Sequence, residues 1–179
     1  FGDVRVVPPP GAFLQATAHG ESALRAAVTE IVGDADQVVD LFAGCGTFAL
    51  PLAKTAEVHA VEGSAEMMEA LDRAWRGGVG LKKVSVETRD LFRRPLEPDE
   101  LRHFDAAVID PPRAGADAQV ATLAKSAIST IAMVSCNPVT FARDARTLLD
   151  AGFGLDWIQV VDQFRWSSHI EVVGAFTRA

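Results

Sequence analysis

From Gln37 to Cys136 the chain alternates short β-branched and apolar runs with stretches in which apolar positions recur at three- and four-residue intervals. The runs QVVDLF (37–42), EVHAVE (57–62), KVSVET (83–88), FDAAVID (104–110) and TIAMVSC (130–136) predict strands. The periodic stretches between them predict helices near 47–54, 64–75, 117–127 and 138–150. Strands and helices alternating in this way fold as βα units, which lay the strands parallel in one sheet. The pattern then changes. GLDWIQVVDQF (154–164) and HIEVVGAFTRA (169–179) are separated only by RWSS, too short for a parallel crossover, so these two strands should pair antiparallel. Ahead of the sheet, HGESALRAAVTEIVG (19–33) predicts an amphipathic helix ended by Gly33. Residues 1–18, with the proline run VVPPPGAFLQ, predict a linker or N-terminal extension of a domain spanning 19–179.

The fold class expected from this order is α/β: a mostly parallel, Rossmann-like sheet of seven strands with an antiparallel C-terminal hairpin, the plan of the class I methyltransferases. A chain of 179 residues suits one such domain and can bury a core without disulfides or metal. With 49% hydrophobic and 23% charged residues, and no apolar run near the roughly 18 that a membrane helix needs, no membrane partner is expected. Cys45 and Cys136 are too few for a disulfide framework, which points to a reducing cytoplasm. The balance of 24 acids against 17 bases, a net charge of −7, argues against a polyanion-binding surface spread over the whole domain. The chain begins with Phe1 and lacks a basic-then-apolar leader, so a fragment of a longer protein is expected.

Chemistry enters with the loop DLFAGCGTFAL (40–50), which follows the first strand and opens a helix. Gly44 and Gly46 let the backbone turn tightly and approach a ligand. A dinucleotide site would want a third glycine at the helix start, where Thr47, Phe48 and Ala49 stand instead, so a nucleoside without a pyrophosphate, such as S-adenosylmethionine, is favoured. Glu62, ending the second strand, can accept both ribose hydroxyls. Asp90, after the third, can accept from an adenine amino group or simply cap the turn in RDLF. DPPRAG (110–115) ends the fourth strand, and its two prolines hold Asp110 at the sheet rim. Arg113 stands where amino-methylating enzymes of this class usually carry an aromatic residue, which disfavours amine methylation.

VSCNPVTFARD (134–144) places Cys136 just before Asn137, a good N-cap, and Pro138, a favoured first helical residue. A strand-end cysteine is more often packing than catalysis, but here the helix dipole should favour a thiolate. A nucleophile beside a methyl donor suits methylation of a carbon that reacts only after its neighbour has been attacked, as uracil carbon 5 does after thiolate addition at carbon 6. Such a mechanism needs a base. In SSHIEVV (167–173), His169 and Glu171 alternate to one strand face, and Glu171 stands in an apolar context that raises its basicity. Glu171 as a solvated edge residue and His169 as an orienting or packing residue stay open.

Together FLQ, DLFAGCGTFALPLA, DPPRAG, VSCNPVTFARD and VDQFRWSSHIEVV, in this order, resemble the RNA uracil-5 methyltransferase family, whose members make 5-methyluridine in ribosomal or transfer RNA. The resemblance covers the family's catalytic domain. It implies Cys136 as nucleophile, Glu171 as base, and Gln15, Phe42, Gly44, Thr47, Glu62, Asp90 and Asp110 around the S-adenosylmethionine and base pocket, with Asp110 also serving the chemistry. It implies an RNA partner, rRNA before tRNA, and no metal in this domain. It further implies an upstream RNA-binding β-barrel and a central domain, the latter in some members holding an iron-sulfur cluster, so that these 179 residues alone should bind cofactor but methylate RNA weakly or not at all. Two positions depart from the family's pattern: Thr17 replaces an asparagine, and Arg165 replaces a proline, changing loop stiffness or adding a phosphate contact. A methyltransferase acting on another substrate with a structural Cys136, and a non-catalytic cofactor- or RNA-binding module, are the competing readings. RNA cytosine-5 methylation fits less well, because its Pro-Cys motif is Pro-Pro-Arg here.

Overall fold

Thr17 opens the regular structure: its backbone is extended and its hydroxyl accepts from the Gly20 amide, which starts helix α1 (Ala18–Val32). The computed structural model describes residues 1–163, 166–167 and 169–178. Five strands follow α1, namely β1 (Gln37–Leu41), β2 (Glu57–Glu62), β3 (Val84–Thr88), β4 (Ala106–Ile109) and β5 (Thr130–Ser135). Helices α2 (Ala49–Leu52), α3 (Ala65–Gly77), α4 (Pro98–Leu101), α5 (Asp117–Leu123) and α6 (Pro138–Asp150) lie between and after them, before β6 (Gly154–Val161) and β7 (Glu171–Thr177). The spatial order is β3-β2-β1-β4-β5-β7-β6, with β7 antiparallel to both β5 and β6 and the other pairs parallel. The order reverses direction between β1 and β4, and the crevice that opens above such a reversal is where ligands bind in open α/β sheets.

Two apolar layers hold the sheet. On one face Leu24 and Val28 of α1, Leu50 of α2 and Leu71 of α3 cover Val38, Val58, Ala60 and Val134. On the other, Val120 and Leu123 of α5 and Phe141 and Leu148 of α6 cover Ile109, Ile131, Met133 and Phe176. The first 17 residues form no helix or strand, yet Val4 is buried and Phe1 packs against the first layer.

The structure trims several predicted elements and adds one. α2 keeps only one turn of its predicted span, and α5 stops at Leu123. α4 was not expected; Pro98 at its first turn and the reciprocal Glu97–Glu100 capping box make this short piece. The hairpin strands end earlier than the apolar pattern suggests, so residues 162–170 connect them in place of RWSS alone. β7 is an interior strand, which removes the solvated-edge reading of Glu171. Arg165, with its expected effect on the loop, lies outside the described residues.

Candidate functional site

The loop after β1 and the acid after β2 form one wall. Register pairs Leu41 with Val61, so Phe42 and Glu62 emerge side by side at the carboxyl edge. Glu62 accepts from the Gly44 amide at 3.2 Å and from the Ser64 amide at 3.1 Å, fixing the glycine turn and leaving a second lone pair on each oxygen. Phe42 carries a positive φ of 61°, a strained backbone for a bulky side chain, of the kind that concentrates at functional sites. Its ring packs tilted on Phe92 at 5.3 Å. Asp90 accepts from the Phe92 and Arg93 amides through one oxygen, as the cap reading expected, and still faces the cavity.

The opposite wall comes from β4, β5 and β7. Antiparallel register pairs Ser135 with Val172, and one more step along it brings Cys136 level with Glu171. Two distant sequence motifs thus meet at the sheet edge. Asp110 follows Ile109 on the neighbouring strand, and Arg113 stands exposed beyond the two prolines. The cavity enclosed by these walls measures about 740 Å³ and includes Gln15, Phe42, Gly44, Thr47, Glu62, Asp90, Asp110, Cys136 and Glu171 among its lining residues. That volume is ample for a nucleoside-sized ligand with a base beside it. A smaller hollow of about 290 Å³ lies near His59 and Glu87, where no predicted site residue reaches it.

α6 holds the Asp110 loop from behind. Asn137 caps α6 by accepting from the Val139 amide, while its amide nitrogen donates to the Arg113 carbonyl at 3.0 Å. Thr140 donates to the same carbonyl, and Asp144, buried, accepts from the Ala116 amide at 2.9 Å. At Gly115, with φ +77°, any Cβ would run into Asp144 and Thr140, so only glycine lets the loop close on the helix. The residues of CNPVTFARD beyond the cysteine therefore act largely by shaping the neighbouring loop.

Burial dominates the electrostatics. Desolvation raises Glu171 to about 7, opposed by a hydrogen bond from Gln163. Asp110 is also raised to about 7, first by burial and then by the Glu171 charge. Asp40, beneath the loop on β1, is pushed well above the carboxylate range by burial and by Asp110; the Ala49 amide opposes this without closing a hydrogen bond, and neither carboxyl oxygen has a partner among the described residues. The expectation of a thiolate at Cys136 is corrected here. Its pKa is raised by desolvation first and then by Glu171 and Asp110, and the lowering influence of its own amide and of Arg113 does not outweigh these. A local argument from the helix N-terminus misses the two carboxyls that the fold brings alongside.

His169 does not share the strand face of Glu171, because β7 begins only at Glu171; it is exposed and outside the cavity lining. Thr17 caps α1 and does not line the cavity. Gln163 and Asp40 carry no local signal of these roles: Gln163 follows Asp162 at the end of an apolar run, and Asp40 stands inside one. Among the described residues no group of His, Cys, Asp and Glu could hold a metal ion, and no helix is long and apolar enough to cross a membrane.

The family described as tRNA (uracil-5-)-methyltransferase matches residues 80–178. An uncharacterized RNA methyltransferase of Mesorhizobium japonicum is 55% identical over 97% of this chain and 42% of its own length. The 23S rRNA (uracil(1939)-C(5))-methyltransferase RlmD of Chromohalobacter salexigens is 37% identical over 94% of this chain and 35% of its own. The crystal structure of Pyrococcus abyssi tRNA (uracil-54, C5)-methyltransferase in complex with S-adenosyl-L-homocysteine superposes with a TM-score of 0.83 at 29% identity, covering 98% of this chain and 42% of that one. The chain thus spans less than half the length of each of these relatives.

Proposed function

Because the chain belongs to the tRNA (uracil-5-)-methyltransferase family, we propose that it is the catalytic part of an enzyme that methylates carbon 5 of a uridine in RNA, with S-adenosylmethionine as methyl donor. The observation that carries this reading is that Cys136 and Glu171, the residues that flank the Ser135–Val172 register pair, line one cavity also walled by the glycine turn and Glu62. A thiol and a carboxylate so placed serve addition and proton removal on one base.

The residues fit the cofactor. The backbone turn at Gly44 offers close approach, Glu62 keeps lone pairs free for ribose hydroxyls, and Asp90, in the cavity lining, would accept from an adenine amino group. Phe42, Thr47 and Gln15 complete the walls, and the carboxylates suit a cationic sulfonium. When bound, S-adenosylmethionine supplies an electrophilic methyl group. Once its proton has been lost to solvent, the Cys136 sulfur adds as thiolate to uracil carbon 6, and the carbon 5–carbon 6 π electrons move toward the carbonyl at carbon 4. Carbon 5 would then be the nucleophile for the cofactor's methyl, whose bond to the sulfonium sulfur would break. Glu171, as carboxylate, removes the carbon 5 proton; the double bond re-forms and the sulfur leaves carbon 6 as thiolate. Asp110, in the lining of the same cavity, would hydrogen-bond the polar edge of the base.

We assign rRNA before tRNA because the relative with a named rRNA target is the more similar of the two whose targets are specified. RNA affinity would reside mainly in sequence beyond these residues, consistent with the charge of −7, so that the catalytic domain, 19–179 with 1–18 as its extension, receives a flipped-out uridine. A cytoplasmic site of action follows from that substrate. Residues 1–179 alone should bind S-adenosylhomocysteine but turn over transcript RNA poorly.

The test uses the protein at its full natural length with 5-fluorouracil-substituted RNA and S-adenosylmethionine, read by intact mass. Fluorine cannot leave as a cation, so a covalent protein–RNA adduct should accumulate and vanish in Cys136→Ala. Methyl transfer to ordinary RNA without any adduct would overturn the covalent mechanism and leave Cys136 structural.

A further inference from the structure

We propose that Gln163 is a positioning residue for the proton-removing base, one buried amide that holds Glu171 and ties it to Gln15 of the N-terminal segment. The inference rests on the covalent mechanism above. Gln163 lies two residues beyond Val161, the register partner of Glu171, and is only 6% exposed. Its amide nitrogen donates to a Gln15 side-chain oxygen at 2.5 Å and to a Glu171 carboxylate oxygen at 3.5 Å. In the ionised form that removes the proton Glu171 only accepts, and the amide nitrogen that faces it serves that form.

That orientation carries a penalty elsewhere. It leaves the Gln163 carbonyl oxygen buried without a partner among the described residues, pressed against Gly20 at the start of α1, where any larger residue would collide with it. A buried carbonyl with no donor destabilises a fold, whereas an apolar side chain of similar length would fill the same space without that penalty. Packing alone therefore gives no reason for an amide here. Its nitrogen supplies one: it orients the Glu171 carboxylate and favours the charged form against desolvation, keeping the base usable near neutral pH. Through Gln15, which lines the cavity, the same amide links the wall of the binding site to the base.

The test compares full-length wild type with Gln163→Met, which fills the volume without the donor, and with Gln163→Asn, whose amide is too short to reach, should the first not fold. Turnover on ordinary RNA is followed from pH 6 to 9. The proposal expects turnover about tenfold lower at pH 7 and converging on wild type by about pH 9, because the carboxylate now ionises later. Adduct formation with 5-fluorouracil RNA, which precedes proton removal, should stay at the wild-type rate. A profile parallel to wild type, whether lowered or not, would overturn the positioning role. Absence of the adduct in wild type itself would remove the mechanism, and this role with it.

Discussion

The Asp144 carboxylate on α6 accepts a 2.9 Å hydrogen bond from the Ala116 amide, fastening the helix that follows Cys136 to the loop that carries Asp110. Asp144 is 3% exposed and also engages Arg143 at 2.8 Å, so its removal strands a buried amide donor. Asp144→Ala should cost about 1–3 kcal/mol, or roughly 2–4 °C in Tm per kcal/mol for a domain of this size. Because the loop shapes the cavity, methyl transfer should fall by at least about tenfold, as small misplacements of reacting groups commonly do. Thermal melts and single-turnover rates check the two effects separately.

Gly174 of β7 faces Phe141 of α6 so closely that a Cβ there would stand 2.7 Å from the ring edge and 2.9 Å from the ring of Phe176. Both rings lie in the buried layer, and neither can withdraw without opening it. Gly174→Ala should therefore destabilise by about 1–3 kcal/mol through overpacking, measurable as a lowered denaturant midpoint with an unchanged slope. β7 carries Glu171 at its start, so a shift of this strand should also lower activity.

Activity and stability should respond to pH in opposite directions. Proton removal needs ionised Glu171, whose pKa is raised to about 7, and addition needs the Cys136 thiolate, whose pKa is raised as well. Turnover should thus climb from pH 6 to 8 and continue upward beyond. Stability runs the other way. Asp110 and Glu171 hold protons more tightly folded than unfolded, so their contribution is full below the unfolded carboxylate range near 4 and is lost as pH rises through about 7; Asp40, raised well above the carboxylate range by burial, acts in the same direction. Melting temperature should decline between pH 5 and 8. Asp40→Asn, neutral throughout, should flatten that decline; an equally steep decline in the variant would remove Asp40 as a contributor.

The parallel core is legible because its strands are short runs rich in valine and other β-branched or apolar residues, as VVDL and TIAMVS show, and the hairpin because two such runs stand too close for a crossover. Asn137–Pro138 marks the start of α6 in the sequence, and Glu97–Pro98 with Glu100 is an equally local signal for α4. The site was legible as residue types at strand ends, but not as a set of mutual charges. Nothing near Cys136 in sequence reveals that Glu171 and Asp110 would raise its pKa, since both arrive through strand pairing. The same holds for Gln163, whose partner Gln15 lies 148 residues away.

Those mutual charges bear on cofactor binding. Glu62, Asp90, Asp110 and Glu171 all line the cavity, and two of them remain partly protonated near pH 7. S-adenosylmethionine carries a sulfonium charge that S-adenosylhomocysteine lacks, while the two share the nucleoside and amino-acid groups that contact the rest of the site. As pH rises from 6 to 8, ionisation of Asp110 and Glu171 should strengthen binding of the cation more than of the neutral product. The ratio of the two affinities should therefore increase with pH, by up to about tenfold if the charges interact by about 1.4 kcal/mol across the cavity. Calorimetric titration of both ligands at several pH values measures it, and Glu171→Gln should reduce the slope. A ratio independent of pH would mean that the sulfonium lies too far from these carboxyls to feel them, and with it the methyl group from the thiol-bound base.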